Sequence, residues 1–331
     1  MKIVITGGAG FIGLGLAQRI LKIGRLHGPG GKLEPVDELV LFDVVLPAER
    51  PAGLDARAKL VRGEVADRDA VSRLIDRPDI GVFHLASVVS AGAEQDFDLA
   101  LRVNLDGHIH VLDALRRVSA PGSSCPRQVF ASSLAVYGSL HSPHVTDATR
   151  QTPQTTYGMT KSVGELLIND YSRKGFIDGR SGRLAAVIVR PGKPNKAASG
   201  FASGMIREPL SGIDFELPIP LDTVMPLVGY RTVIDGLIAL YEVDGARLGH
   251  DRALNIPNIS VTMADVIASL KRVAGHRKLG KISVAVDPFV VSIVAGWPTH
   301  LGAARAAALG LPPEAGIDAI IRAYIEDYLE L

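Results

Sequence analysis

The 331-residue chain has a single cysteine, no long hydrophobic run and no excess of either charge. One cysteine, Cys125, excludes an internal disulfide and any zinc site built from several thiolates. It fits a reducing compartment, and a cytoplasmic location is the expectation. Lys plus Arg number 36 and Asp plus Glu 35, a formal net charge of +1. That balance leaves no electrostatic footprint for nucleic acid or an anionic membrane. Apolar stretches break off within about a dozen residues, short of the ~20 that span a bilayer, so no membrane partner is expected. The nine histidines carry no metal-ligand spacing. His108 and His110 lie two apart and share no helix face, and His141 and His144 sit in a proline-containing loop. No metal is expected.

What is present suits a globular α/β protein. Hydrophobic residues make up 47% and charged residues 21%, enough for an ordinary core. At about 150 residues per domain, the length allows two modules, or one α/β domain with a cap. Met1-Lys2 and the apolar stretch to Ala17 have the outline of a signal peptide. Four glycines interrupt that stretch between Gly7 and Gly13, and they have a better explanation.

Short apolar runs and amphipathic segments alternate from the start. Strands are expected at 2–6, 39–45, 59–62, 80–86, 128–132 and 184–190, the last closed by Pro191-Gly192. Helices are expected at 11–23, 69–75, 97–118 and 156–173, with a glycine-rich loop at 24–35. This order predicts a doubly wound parallel sheet. The strands read as nearly continuous apolar runs, as strands buried on both faces do. After Gly192 prolines recur and the pattern loosens. Residues 1–192 are expected to form the sheet domain, with a return near 230–256 and a late strand at 253–256. Residues 193–331 would form mainly a smaller C-terminal substrate domain, with helices at 232–241, 263–273 and 317–328.

Thr6-Gly7-Gly8-Ala9-Gly10-Phe11-Ile12-Gly13 falls between the first expected strand and helix. A glycine at the turn permits positive φ, the next lets the backbone approach a pyrophosphate, and the third lets helix pack on strand. The helix N-terminus then offers unpaired N–H groups to the phosphates. Asp43 ends the next long strand, where an acid accepts from ribose hydroxyls and repels a 2′-phosphate, favouring NAD over NADP. It lies 30 residues after Gly13 instead of about 20, and the 24–35 loop accounts for the excess.

Tyr157 and Lys161 are four apart on an expected helix and so share a face. A free phenol has pKa about 10, and a neighbouring ammonium favours its ionised form. Tyr157 is therefore a candidate base. Ser133 follows the fifth strand at the sheet's carboxyl edge, where ligands of such sheets sit, and can orient a reacting hydroxyl. Ser132 takes that role if the turn is shifted by one residue.

TGGAGFIG at 6–13, Asp43, HLAS at 84–87, VNLDG at 103–107, SSLAVYG at 132–138 and YGMTK at 157–161 occur in this order. Together they resemble the extended short-chain dehydrogenase/reductases over residues 1 to about 192, which implies a Rossmann-type, NAD-binding domain over those residues and a smaller C-terminal substrate domain. The resemblance implies a catalytic set of Ser133, Tyr157, Lys161 and Asn104. It implies NAD contacts at Gly7, Gly10, Phe11, Ile12, Gly13, Asp43, Leu85, Ala86, Asn104, Tyr157, Lys161 and Pro191. Glu64-Val65 stands where the family has an acidic–hydrophobic pair near the adenine, with Asp the commoner acid. A homodimer through the long helices at 97–118 and 156–173 is also implied.

RPGKPNKAASGF at 190–201, IREPLSG at 206–212 and the insertion before LVLFDV resemble the D-erythronate dehydrogenase branch. The reaction implied is NAD-dependent oxidation of the C2 hydroxyl of a four-carbon sugar acid. Arg190, Lys193, Lys196, Arg207 and Arg231 lie in or near segments expected to face such a substrate, and arginine can grip a carboxylate with two parallel hydrogen bonds. Arg231 is the expected carboxylate partner, with a surface ion pair as its alternative. Ser87, Ser90, Ser133, Tyr157 and Asn195 complete the expected substrate contacts, with Ser199 a weaker one. His84 is expected to be structural and Trp297 to be a core or interface aromatic. Two rival functions stand beside this reading. A nucleotide-sugar 4-epimerase would use the same three residues and retain its NAD. A dinucleotide-sensing regulator would need only the glycine turn.

Overall fold

Seven parallel strands form the central sheet of the computed structural model, in which residues 1–51, 53–119, 125–138, 144–192 and 199–329 are described. Their order is Ala253–Asn255, Asp178–Leu184, Arg127–Ser133, Ile80–His84, Lys2–Thr6, Glu38–Asp43 and Ala58–Arg62. The chain reverses its direction of winding beside Lys2–Thr6, which pairs with Glu38–Asp43 on one side and Ile80–His84 on the other. That reversal opens a crevice at the carboxyl ends of the strands. Thr6 and His84 are in register there, with Thr6 Oγ1 2.7 Å from His84 Nδ1.

Lys2–Thr6 and Ile80–His84 are buried at every position, so apolar side chains on both faces meet helices. Phe11–Ile23 covers one face and ends at Gly24, whose φ of 73° lets its N–H close on the Ile20 carbonyl. Gly107–Val118 and Thr156–Arg173 cover the other. The glycine-rich segment after Gly24 is not a plain loop. Arg25–His27 and Leu33–Pro35 pair antiparallel, and Gly31 turns the hairpin at φ 70°. The expected helix at 97–118 contains a π-helical turn, Arg102–Asp106, between Phe97–Leu101 and Gly107–Val118.

The largest departure from expectation is the sixth strand of the sheet. It is Asp178–Leu184, with sequence DGRSGRL, and not the apolar stretch at 184–190. Arg180 is fully buried. Its guanidinium donates to the carbonyls of Leu240, Tyr241 and Val243, and it pairs with Asp178 at 2.5 Å. These carbonyls are left without intrahelical partners at the end of Tyr230–Glu242. Arg183 is also buried and pairs with the buried Glu165. Both charges are thus satisfied inside, which hydropathy cannot foresee.

Ala186–Ile188 instead joins Val224–Gly229 and Ile259–Thr262 in a second, three-stranded sheet. A separate apolar cluster including Met205, Ile206, Leu270 and Ile321 packs around it. The late strand returns to the central sheet as Ala253–Asn255, pairing with Asp178–Leu184. Among the described residues no helix is long and apolar enough to cross a membrane.

Candidate active site

A cavity of about 650 Å³ opens at the carboxyl edge of the central sheet. One set of its lining residues is Gly7, Gly10, Phe11, Ile12, Gly13, Asp43, Glu64, Val65, Leu85 and Ala86. Gly7 has φ 67°, and a Cβ there would lie 2.8 Å from the Ala86 nitrogen. A Cβ on Gly13 would lie 2.6 Å from the Gly7 carbonyl oxygen. The turn therefore closes only with glycine at both positions. Gly10 caps Phe11–Ile23 without a side chain, leaving the first-turn N–H groups directed at the cavity without a side-chain cap. Asp43 Oδ2 accepts from the Ala9 N–H at 3.1 Å, which fixes the carboxylate at the cavity wall. Apolar walls, helix N–H groups and the Asp43 carboxylate are the donor and acceptor set that an adenosine diphosphate with a free ribose diol needs. The residues present fit NAD.

The second set brings Ser133, Tyr157 and Lys161 to the same cavity. Thr155 caps the helix Thr156–Arg173 by accepting from the Gly158 N–H. Gly158 then lies so close to the Ala135 carbonyl that a Cβ would approach to 2.3 Å. This contact presses the start of the helix against the turn that follows Ser133. Ser133 Oγ accepts from the Ala135 N–H at 3.2 Å, capping the short 3₁₀ turn Leu134–Val136. Ser132 is the buried neighbour, and its hydroxyl donates to Glu165 at 2.5 Å. Ser133 is the serine held at the edge, while Ser132 is committed to Glu165.

Lys161 Nζ donates to the Ala131 carbonyl at 2.8 Å and lies 5.5 Å from the centre of the Tyr157 ring and 4.8 Å from that of Phe130. Burial pulls the Lys161 ammonium down to about 7, and the Glu165 carboxylate works against that shift. Burial raises the Tyr157 phenol, and its hydrogen bond with Ser133 lowers it.

Asn104 lies in the π-helical turn, is buried, and is not among the cavity's lining residues. Its Oδ1 accepts from the Val88 N–H at 2.8 Å and from Ser87 Oγ at 3.2 Å. Its amide donates to the Val88 carbonyl and to Thr160 Oγ1. It ties the 87–88 loop to the Tyr157 helix.

Ser87 and Ser90 line the cavity. Asn195, Lys193 and Lys196 lie outside the described residues. Pro191 is not in the lining, but the preceding Arg190 is. Arg231 is placed elsewhere. It forms ion pairs with Glu326 at 2.8 Å and Asp327 at 2.5 Å on the helix Ile317–Tyr328. The surface ion pair is the correct reading, because two carboxylates already fill the guanidinium fork. Arg207 is turned to Glu208 and the Arg190 carbonyl. Among the described residues nothing accepts from the Arg190 guanidinium, and both burial and the nearby Arg207 charge lower its proton affinity.

Glu94, Ile293 and Trp297 also line the cavity and were not anticipated there. Glu94 accepts from the Thr156 N–H at 2.7 Å, at the first residue of the Tyr157 helix. It sits on a six-residue helix, Ser90–Gln95, too short to leave a periodic signal. Trp297, expected as a core or interface aromatic, packs against both apolar clusters and also lines the cavity.

Known proteins resemble the chain over nearly its full length. The D-erythronate dehydrogenase of Cupriavidus necator is 45% identical over 328 residues, covering 99% of this chain and 98% of that protein. The D-erythronate dehydrogenase of Haemophilus influenzae is 36% identical over 326 residues, covering 98% and 99%. A crystal structure described as a nucleoside-diphosphate-sugar epimerase from Agrobacterium tumefaciens superposes with a TM-score of 0.90 at 39% identity, covering 99% of this chain and 94% of that one. The profile of the NAD dependent epimerase/dehydratase family matches residues 3–256, and the chain belongs to that family.

Proposed function

We propose that the protein is an NAD-dependent dehydrogenase that oxidises the C2 hydroxyl of D-erythronate to 2-dehydro-D-erythronate. The observation that carries this reading is the convergence on one cavity of Ser133, Tyr157 and Lys161 with an Arg190 guanidinium that has no acceptor among the described residues. A small hydroxy acid offers both partners at once: a hydroxyl for the acid–base group and a carboxylate for the arginine. The two D-erythronate dehydrogenases at 45% and 36% identity supply the substrate's name.

In this mechanism Ser133 Oγ–H donates to the C2 oxygen and aims it at Tyr157. The Tyr157 phenolate takes the hydroxyl proton as the carbonyl forms. Lys161 stabilises that phenolate through its positive charge. NAD⁺, which the Gly7–Gly13 turn and Asp43 would hold, would supply the hydride acceptor for C2 when bound. Asp43 favours the cofactor with a free 2′-hydroxyl, because a 2′-phosphate would meet a carboxylate. Arg190 fixes the acid end, so that C2 and not C3 presents its hydroxyl. Asn104 acts through the 87–88 loop and Thr160 as a positioning residue.

Phe97 and Leu166 stand 53% and 65% exposed on the two helical segments expected to mediate dimerisation. They support a homodimer, which a sedimentation profile at the monomer mass would contradict.

The test is NADH absorbance with purified protein, NAD⁺ and a panel of D-erythronate, L-threonate, D-threonate, a hexuronate and a UDP-hexose. Turnover led by D-erythronate is expected. Conversion of the UDP-hexose without net NADH, and silence on every acid, would move the protein to the 4-epimerases.

A further inference from the structure

We infer that Glu165 is a positioning residue for the acid–base pair, holding Lys161 as an ammonium and locking the Ala131–Ser133 strand end to the Tyr157 helix. The inference rests on the assignment of Tyr157 and Lys161 made above. Tyr157, Lys161 and Glu165 follow one another at intervals of four on Thr156–Arg173, so all three share one face. Glu165 is 2% exposed. Its Oε1 accepts from Ser132 Oγ at 2.5 Å and Arg183 Nε at 2.9 Å. Its Oε2 accepts from Gln151 Nε2 at 2.5 Å and Arg183 Nη2 at 2.7 Å. One carboxylate therefore joins the helix, two neighbouring strands and the segment before the helix.

Ser132 sits at the critical point of that junction. Its carboxyl-side neighbour is Ser133, and its amino-side neighbour is Ala131, whose carbonyl receives Lys161 Nζ at 2.8 Å. Anchoring Ser132 to the helix thus fixes both ends of the acid–base apparatus. The electrostatic surroundings of Lys161 point the same way. Phe130 lies beside it, and His84 and His108 stack against that ring. Burial holds both histidines neutral. Glu165 is the opposite charge acting on Lys161, opposing the burial that pulls its ammonium toward neutrality. Arg183, on the far side of Glu165, satisfies the carboxylate without facing the cavity.

Helix geometry determines which group Glu165 serves. At 1.5 Å per residue it lies about 6 Å along the axis from Lys161 and about 12 Å from Tyr157. Its effect through Lys161 therefore outweighs its direct repulsion of a Tyr157 phenolate. Fold stability alone does not call for the pair, since apolar residues of similar volume commonly replace a buried ion pair at no cost.

The test compares Glu165→Gln with the double variant Glu165→Gln/Arg183→Met, which leaves no unpaired buried charge. The readout is the titration of Lys161 in the cofactor-free protein, from the NMR signals of isotope-labelled lysine, with Lys161 assigned by its loss in the Lys161→Met counterpart of each protein. It is expected to move to lower pH by at least about one pH unit in both variants, the size of effect a neighbouring opposite charge exerts. An unchanged Lys161 titration in the folded double variant, whatever the loss of kcat, would overturn the inference. The titration needs no substrate, so a failure of the D-erythronate assignment leaves this result readable.

Discussion

The proposed dinucleotide and substrate arms of the cavity are built by opposite means. The first is mostly backbone: glycines whose missing Cβ atoms leave the turn closed, helix N–H groups and the Asp43 carboxylate. The second is mostly side chains: Ser133, Tyr157, Lys161 and Arg190, drawn from three separate segments. A backbone-built site is written in one short stretch of sequence. A side-chain site depends on which distant elements fold together, and there sequence and structure part company.

If the substrate arm carries the chemistry, Tyr157→Phe has the largest effect. It removes the transferable proton but keeps the ring, and kcat should fall about 10²–10⁴-fold. NAD⁺ affinity measured by calorimetry should stay within a fewfold of the parent. Near-normal turnover would break the division between the arms. Arg190→Met should follow. Losing a charge-assisted pair costs about 1.5–3 kcal/mol, which lowers kcat/KM for D-erythronate about 10- to 150-fold. The KM for NAD⁺ should not move, because Arg190 belongs to the other arm.

Gly13→Ala attacks the dinucleotide arm instead. A methyl group 2.6 Å from the Gly7 carbonyl forces the turn apart. Overpacking of this kind costs about 1–3 kcal/mol, read as weaker NAD⁺ binding with D-erythronate affinity for the loaded enzyme retained. Arg231→Ala sets the lower limit. Its ion pairs with Glu326 and Asp327 are half exposed, and exposed pairs contribute at most about 1 kcal/mol. A small drop in melting temperature with unchanged KM values is the expected result.

The legibility of the sequence follows the same line. Lys2–Thr6, Phe11–Ile23 and Thr156–Arg173 begin and end where local patterning places them, because a periodic apolar face and a capping residue act over a few residues. The strand Asp178–Leu184 escaped, since its two arginines and two glycines break any apolar run. Its burial depends on the end of Tyr230–Glu242 and on Glu165, which are far away in sequence. Arg231 misled for the same reason: its partners lie 95 and 96 residues onward. Asn104 was legible as a residue of interest but not as a clamp, because the π-helical turn that aims it leaves no trace in periodicity. Arg190 was one of five candidate cations, and among the three that are described only the neutralisation of Arg207 and Arg231 by their own carboxylates sets it apart.

D-erythronate deuterated at C2, incubated with NAD⁺ and the purified protein, tests the central claim most directly. The account predicts that the NADH formed carries the deuterium and that its formation slows by a primary isotope effect where chemistry limits the rate. NADH without deuterium would place oxidation at another carbon, and retained label in the substrate with no net NADH would contradict dehydrogenation altogether.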